Sequence, residues 1–254
     1  MRPILVATLV VAAPVPARAA LTAYQIMKRA VVHVRVPTED NRIRMTLIGR
    51  QGQKRQRVMT LTMATTGGRD RSLARFHYPG GIRGTALLSR EAGEKDHQWL
   101  FMPVLGRTRR IATTQQGDSF VGSEMAYEDT KILRLEDWRY RLLRSTKIAG
   151  RPCWIIESRP ARHHDTSYGK THTYIHKKTF VALKTVFFDK NGRRIKEVVS
   201  TGFRQVKRGI WRPRVQTFRS LVTGKQTILE FEKIAIDCKL DRIYFDSRRL
   251  AEWR

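Results

Sequence analysis

Chemistry requires polar side chains within reach of one another, and three groups in this sequence could meet that requirement. The first is acidic. Asp118, Glu124, Glu128 and Asp129 fall in one short stretch, DSFVGSEMAYED. Two carboxylates can serve as general acid and base. Here they lack a companion: Ser119 and Ser123 have no neighbouring histidine to activate them. The chain contains no G-x-S-x-G elbow, no H-E-x-x-H and no glycine loop of the phosphate-cradling kind. The second group is His163-His164-Asp165, with His172 and His176 beyond it. His172 and His176 would share one strand face, but four residues of strand span about 13 Å, too far for one ion to bridge. Solvated loop histidines are the expectation, with no metal site. The third group is Cys153 and Cys238, whose spacing fits no zinc motif. Whether they pair is open. No catalytic residue and no cofactor is assigned, and an enzyme is not expected.

The acidic stretch stands out because the chain is so basic. Lys and Arg number 50 against 22 Asp and Glu, a formal charge of +28. Such a balance attracts anions. The basic residues are spread at alternate positions rather than gathered in one tract, so a generally cationic surface is expected and no specific nucleic-acid site. Within it, Glu128 and Asp129 are expected to act as internal counter-charge. Arg109 and Arg110 lie just upstream on a strand that could pair with this segment, and Gly122 permits a bend between the two pieces. An unpaired buried charge costs several kcal/mol, so fixing a loop by pairing is the simplest role for these four residues. Contact with a basic partner is the alternative.

The elements that must position these groups are mostly strands. Residues 1–19 have the order of a secretory leader: Arg2, an apolar run from Ile4 to Ala13, then Ala17-Arg18-Ala19 with cleavage after Ala19. The remainder, 20–254, is expected to form one domain. It opens with a helix: Thr22 and Gln25 have capping-box spacing, and Ile26, Met27, Ala30, Val31 and Val34 recur at helical intervals before Pro37. The pattern then changes to period two. Ile43, Met45 and Leu47 alternate with Arg42, Arg44 and Thr46, and further strands are predicted near 59–63, 73–78, 85–89, 98–103 and 108–113. Longer ones follow near 140–148, 153–159, 170–176, 182–188, 194–201, 211–220 and 227–236, and 240–253 reads as an irregular end. The expected fold is mainly β: a large curled antiparallel sheet of about eleven strands, an unclosed half-barrel, with the N-terminal helix and short lid helices over its concave face. A sheet of that size tends to curl, and a curled sheet under a movable cover encloses a hollow.

Residues 76–129 carry more than periodicity. Phe76 and Pro79; Arg83-Gly84-Thr85; Trp99-x-Phe101-x-Pro103; Arg109-Arg110-Ile111; and Phe120-x-Gly122-Ser123 leading to Tyr127-Glu128-Asp129 follow in order. Together with 167–196 they resemble the outer-membrane lipoprotein-sorting protein family, the LolA-like group with a longer C-terminal half. The resemblance implies a periplasmic protein whose half-barrel holds lipid or lipoprotein acyl chains, working with an inner-membrane permease of the resistance–nodulation–division (RND) type. On that expectation Phe76, Trp99, Phe101, Phe120, Tyr127 and Trp138 line the cavity. The expected function is a lipid or lipoprotein carrier between inner and outer membrane, with transient contact to anionic membrane surfaces. The rival is a non-carrier envelope sensor or accessory subunit docking on a permease.

Overall fold

The computed structural model describes residues 20–32, 35–92 and 95–252. The expected leader, 1–19, lies outside the described residues, as do Val34 of the helical stripe and Trp253 of the tail. Helix α1 (Ala23–Val32) is capped reciprocally: the Thr22 N–H donates to Gln25 Oε1 at 2.9 Å and the Gln25 N–H donates to Thr22 Oγ1 at 3.2 Å. Each bond satisfies a backbone donor that the first helical turn cannot.

Fifteen strands follow: β1 (Thr38–Ile48), β2 (Lys54–Thr66), β3 (Arg69–Tyr78), β4 (Ala86–Ala92), β5 (Lys95–Met102), β6 (Arg107–Arg110), β7 (Trp138–Ile148), β8 (Arg151–Pro160), β9 (Lys170–His176), β10 (Ala182–Phe188), β11 (Arg194–Thr201), β12 (Arg204–Lys207), β13 (Ile210–Arg212), β14 (Val215–Ser220) and β15 (Gln226–Ile236). Thirteen of them form one antiparallel sheet in the order β6-β5-β4-β3-β2-β1-β15-β14-β11-β10-β9-β8-β7. The sheet is open, with β6 and β7 at its edges. Both edges are rich in arginine, Arg107, Arg109 and Arg110 on one and Arg139, Arg141 and Arg144 on the other. Charge on an exposed edge discourages pairing with a second chain.

The single strand expected over 211–220 is in fact two. Proline at 213 has no N–H to give to a ladder. On its N-terminal side β13 leaves the large sheet to pair with β12. Arg212 on β13 then closes a buried ion pair with Glu39 on β1, Nη2 to Oε2 at 2.6 Å.

Sheet order makes the segment between β6 and β7 unusual. These strands are the opposite edges, so residues 111–137 must cross the whole concave face. The crossing is made as a series of 3-10 turns, among them Phe120–Gly122, Tyr127–Thr130 and Leu135–Asp137. These turns and α1 are the cover of the trough. The outer face is covered as well. Phe245 and Leu250 from the C-terminal segment pack on Leu73, Ala86, Leu88 and Phe101. The β12–β13 hairpin lays Phe203 and Trp211 over Cys153, Val181 and Leu183. Cys153 and Cys238 are both free thiols.

On the outer face of β8, Glu157 is surrounded by basic side chains. Arg141 and Arg159 approach its Oε1 at 3.0 and 3.1 Å, and His172 and Lys170 its Oε2 at 3.2 and 3.7 Å. Burial alone would raise its pKa. Hydrogen bonds from His172, Arg159 and Arg141 outweigh that and bring it from 4.5 to about 2. A carboxyl depressed on folding stabilises the fold above its unfolded pKa and stops doing so as pH falls through the folded one. Glu157→Gln is therefore expected to be less stable than the wild type at neutral pH. In urea titrations at stepped pH, the gap should shrink between about pH 4.5 and pH 2. A gap constant with pH would show that Glu157 is not held in this way.

Candidate functional site

The concave face is divided in two. Under β1–β5 it is filled. Ile43, Met45 and Leu47 from β1, Phe76 from β3 and Leu100 from β5 pack against Ile111, Phe120, Met125 and Tyr127 of the crossover. The Phe76 and Phe120 rings lie 5.7 Å apart, and Phe120 meets Tyr127 edge-on at 6.0 Å. Under β8–β11 and β14 the face is filled only in part: Ile156 and Ile175 pack on Ile26, Met27, Leu133 and Leu135, and a cavity of about 400 Å³ remains beside them. Met27, Ala30 and Val31 of α1 form one wall, and Ile132 and Leu133 of the crossover with Trp138 at the start of β7 form the roof. Ile175, Phe187, Val198 and Phe218 lie on the floor.

The six aromatic residues expected around a cavity are therefore sorted by the fold. Trp138 lines it, with its ring 5.2 Å from His164. Phe76, Phe120 and Tyr127 come together, but in the filled half. Trp99 and Phe101 are on the outer face, under the C-terminal segment. Strand alternation explains the last two: Leu100 and Gln98 point inward, so their neighbours point outward.

Among the side-chain ties that hold the crossover to the sheet, three come from β5, β15 and β11. On β5, Gln98 Nε2 donates to the Tyr127 carbonyl and to Thr130 Oγ1, both at 3.0 Å. On β15, Thr227 Oγ1 accepts from the Glu124 N–H at 2.9 Å. On β11, the Lys196 ammonium donates to Asp129 Oδ2 and to the Tyr168 phenol oxygen. The phenol in turn donates to Asp129 Oδ1 at 2.8 Å. Burial raises the Tyr168 pKa, and the Asp129 charge raises it further, so the phenol keeps its proton. The ammonium also sits 4.8 Å from the centre of the Tyr168 ring and 4.7 Å from that of Phe187. Glu128 is bound by Thr166 Oγ1 and by the hydroxyl of Ser167.

The acidic stretch is thus matched by groups other than the expected pair of arginines. Arg109 Nη1 donates to Gln115 Oε1 at 3.2 Å and also binds the Tyr127 phenol. Arg110 meets His97. Among the described residues neither forms an ion pair with Glu128 or Asp129. Gly122 has φ +71°, but it bends a pair of tight turns rather than two extended pieces. Lys196, Tyr168 and Gln98 were not singled out in the sequence. Lys196 reads there as one more solvated strand lysine, and only its inward register distinguishes it.

The cavity wall is not uniformly greasy. Ser158, Thr171, Thr173 and Thr185 place four hydroxyls on the floor, in cross-strand register: Ser158 faces Thr171, and Thr173 faces Thr185. Ser158 is 2 % exposed and its Oγ has no hydrogen-bond partner among the described residues. A charged group lies in the wall beside them. Lys131 Nζ donates to Gln116 Oε1 at 2.8 Å and is 3.6 Å from Asp96, while Arg134 binds Asp137 at 3.0 and 3.2 Å. Burial pushes the Lys131 ammonium down against the pull of Asp96. Among the described residues no group of three or more His, Cys, Asp or Glu could hold a metal ion. His163 and His164 flank Asp137 at 3.5 and 3.4 Å, His172 is at Glu157, and His176 binds Thr179 at 2.7 Å.

Removing one member of a buried ion pair leaves the other charge uncompensated, at about 3–5 kcal/mol. Lys196→Met should lower unfolding free energy by roughly that amount and raise amide exchange across 118–131. Adding Asp129→Asn should recover more than half of the loss. Equal stabilities of the single and double variants would mean that Asp129 does not depend on Lys196.

Comparison with known proteins gives the same architecture. An outer membrane lipoprotein-sorting protein domain from Vibrio parahaemolyticus is 26% identical, with 90% of this chain and 98% of that one covered and a TM-score of 0.85. A DUF1329 family protein from Desulfovibrio piger is 22% identical over 90% and 97% of the two chains, TM-score 0.86. A LolA superfamily protein from Nitrosomonas europaea is 18% identical over 90% and 100%, TM-score 0.72. No curated protein matches the sequence. A family model described as "Uncharacterized protein" matches residues 68–252. The chain belongs to that family, and it has the fold of the outer membrane lipoprotein-sorting domain and of the LolA superfamily protein.

Proposed function

We propose that this protein is a periplasmic carrier that shields the apolar part of a lipid or lipoprotein between the inner and outer membranes. The observation that carries this reading is the cavity of about 400 Å³ between α1, the crossover and the sheet, whose wall surface is mostly apolar. The similarity to a lipoprotein-sorting domain supports it. The volume is at the lower end of the roughly 300–1,000 Å³ usual for pockets that bury a small ligand. It suits one hydrocarbon chain or ring system. Each methylene moved out of water contributes about 0.8 kcal/mol, so a guest of that size is held by burial alone. No covalent step is needed.

The hydroxyl floor refines the guest. Ser158, Thr171, Thr173 and Thr185 offer hydrogen bonds that a plain hydrocarbon would leave unused, and an unused buried hydroxyl is costly. An amphipathic lipid with a hydroxyl, ester or amide near its apolar body satisfies both surfaces. Release requires α1 or the crossover to lift. An inner-membrane permease of the RND type fits as the donor, and the cationic exterior suits passing contact with anionic headgroups.

Protein purified from its native envelope should yield a stoichiometric lipid on organic extraction and mass spectrometry. Thr185→Trp or Ala30→Trp, each filling the cavity from one wall, should yield none while remaining folded by circular dichroism. A lipid-free wild type that instead captures a membrane protein would favour an accessory subunit or envelope sensor. A finer test compares guests. Ser158→Ala with Thr171→Val should weaken a hydroxylated or ester-bearing lipid about thirtyfold, from about 1 kcal/mol per lost hydrogen bond, and leave an alkane-like probe unchanged. Equal effects on both probes would remove the hydroxyls from the reading.

A further inference from the structure

The sheet has two rims, because every antiparallel connection turns at one end or the other. The register puts the β1–β2, β3–β4, β5–β6 and β14–β15 turns on the same rim. That rim carries most of the exposed apolar surface. Tyr78 is 55% exposed beside the β3–β4 turn, Val104 78% and Leu105 51% in the β5–β6 turn, and Leu221 41% and Val222 60% in the β14–β15 turn. They are five of the nine large apolar side chains exposed among the described residues. The other four lie on α1, in the middle of β7 and in the C-terminal segment, so none is in a turn of the opposite rim.

Basic residues alternate with them. Arg50, Lys54 and Arg55 surround the β1–β2 turn, between the two apolar groups in sheet order. Arg83 and Arg107 stand beside Tyr78, Val104 and Leu105, and Lys225 beside Val222. All six are exposed, and none forms an ion pair among the described residues. The β3–β4 and β5–β6 turns touch: a Cβ on Gly84 would come within 3.1 Å of Pro103.

We propose that this rim is a membrane-docking edge that seats on an anionic lipid bilayer. The physical reason is the shape of the row. Successive turns on one rim are two strands apart, so the four tips extend over roughly 30 Å. A line of separate apolar tips with unpaired cations between them matches a flat surface that is greasy just below a negative layer. It does not match the single concave pocket that a protein anchor fills. The apolar tips enter the interface while the cations meet phosphates. This deepens the carrier reading by giving it a contact surface, yet it draws on none of the cavity residues.

Flotation of the purified protein with vesicles tests it. Phosphatidylcholine vesicles containing phosphatidylglycerol should carry the protein up, pure phosphatidylcholine should not, and added salt should weaken binding. Val104→Asp with Leu105→Asp should cut binding at least about tenfold. Arg50→Ser with Lys54→Ser should cost roughly fivefold per charge. Arg151→Ser with Lys178→Ser, on the opposite rim, should change little beyond the loss of net charge. Circular dichroism and the lipid extracted from the cavity should be the same in all variants. No flotation, or equal losses from both rims, would overturn the proposal. So would binding that appears only when a membrane protein is present in the vesicles. A protein that floats but yields no extracted lipid would keep this edge and remove the carrier reading instead.

Discussion

The crossover must be tied down, and the buried contact of Lys196 with Asp129 and Tyr168 is the tie on which the hollow depends. The sheet is open, and its first half ends at one edge while its second begins at the other. Residues 111–137 therefore have to bridge the trough without a strand in the sheet, their backbone bonded mainly within the segment's own turns. A peptide crossing a concave surface either collapses onto it or is held at set points. Gln98, Thr227 and Lys196 are among those points, one on each of three separate strands. Lys196 is the one at the boundary between filled and vacant halves, and Asp129, Tyr168 and Phe187 all line the cavity. Its charge is matched by a carboxylate and flanked by two rings, which offsets the cost of desolvation.

The same tie explains why so basic a chain keeps an acidic stretch. Glu128 and Asp129 point at groups on the sheet and on the β8–β9 loop rather than at the cationic exterior. The Phe120 and Tyr127 plug fills the trough under β1–β5. Past Lys131, Leu133 and Leu135 reach the cluster of Ile156 and Ile175, and α1 supplies the rest of the wall. The vacancy is a consequence of where the chain is pinned.

Coverage of the outer face completes the architecture. A sheet with a binding face on one side and water on the other could keep its outer residues polar. This one instead buries Leu73, Leu88 and Phe101 beneath the C-terminal segment, and Cys153 and Leu183 beneath β12–β13. With both faces packed, the trough can hold its curvature without a guest. Many of the exposed arginines occupy the sheet edges and the two rims, where they meet solvent.

The sequence by itself determined the local structure. Period-two alternation placed the strands, and Thr22 and Gln25 placed the helix start. These are legible because they depend on neighbours within a few residues. It also gave the ingredients of the site without their arrangement: Trp138 lines the cavity, whereas Phe101 and Trp99 face outward and Phe76 is packed shut. Alternation says that a strand has two faces and leaves open which is concave, and a shift of one residue exchanges them. Tertiary structure alone decided the partners. Asp129 finds Lys196 sixty-seven residues away, and Glu39 finds Arg212 at a separation of 173, because sheet order brings distant strands together. No local pattern encodes contacts made by folding across a thirteen-stranded sheet.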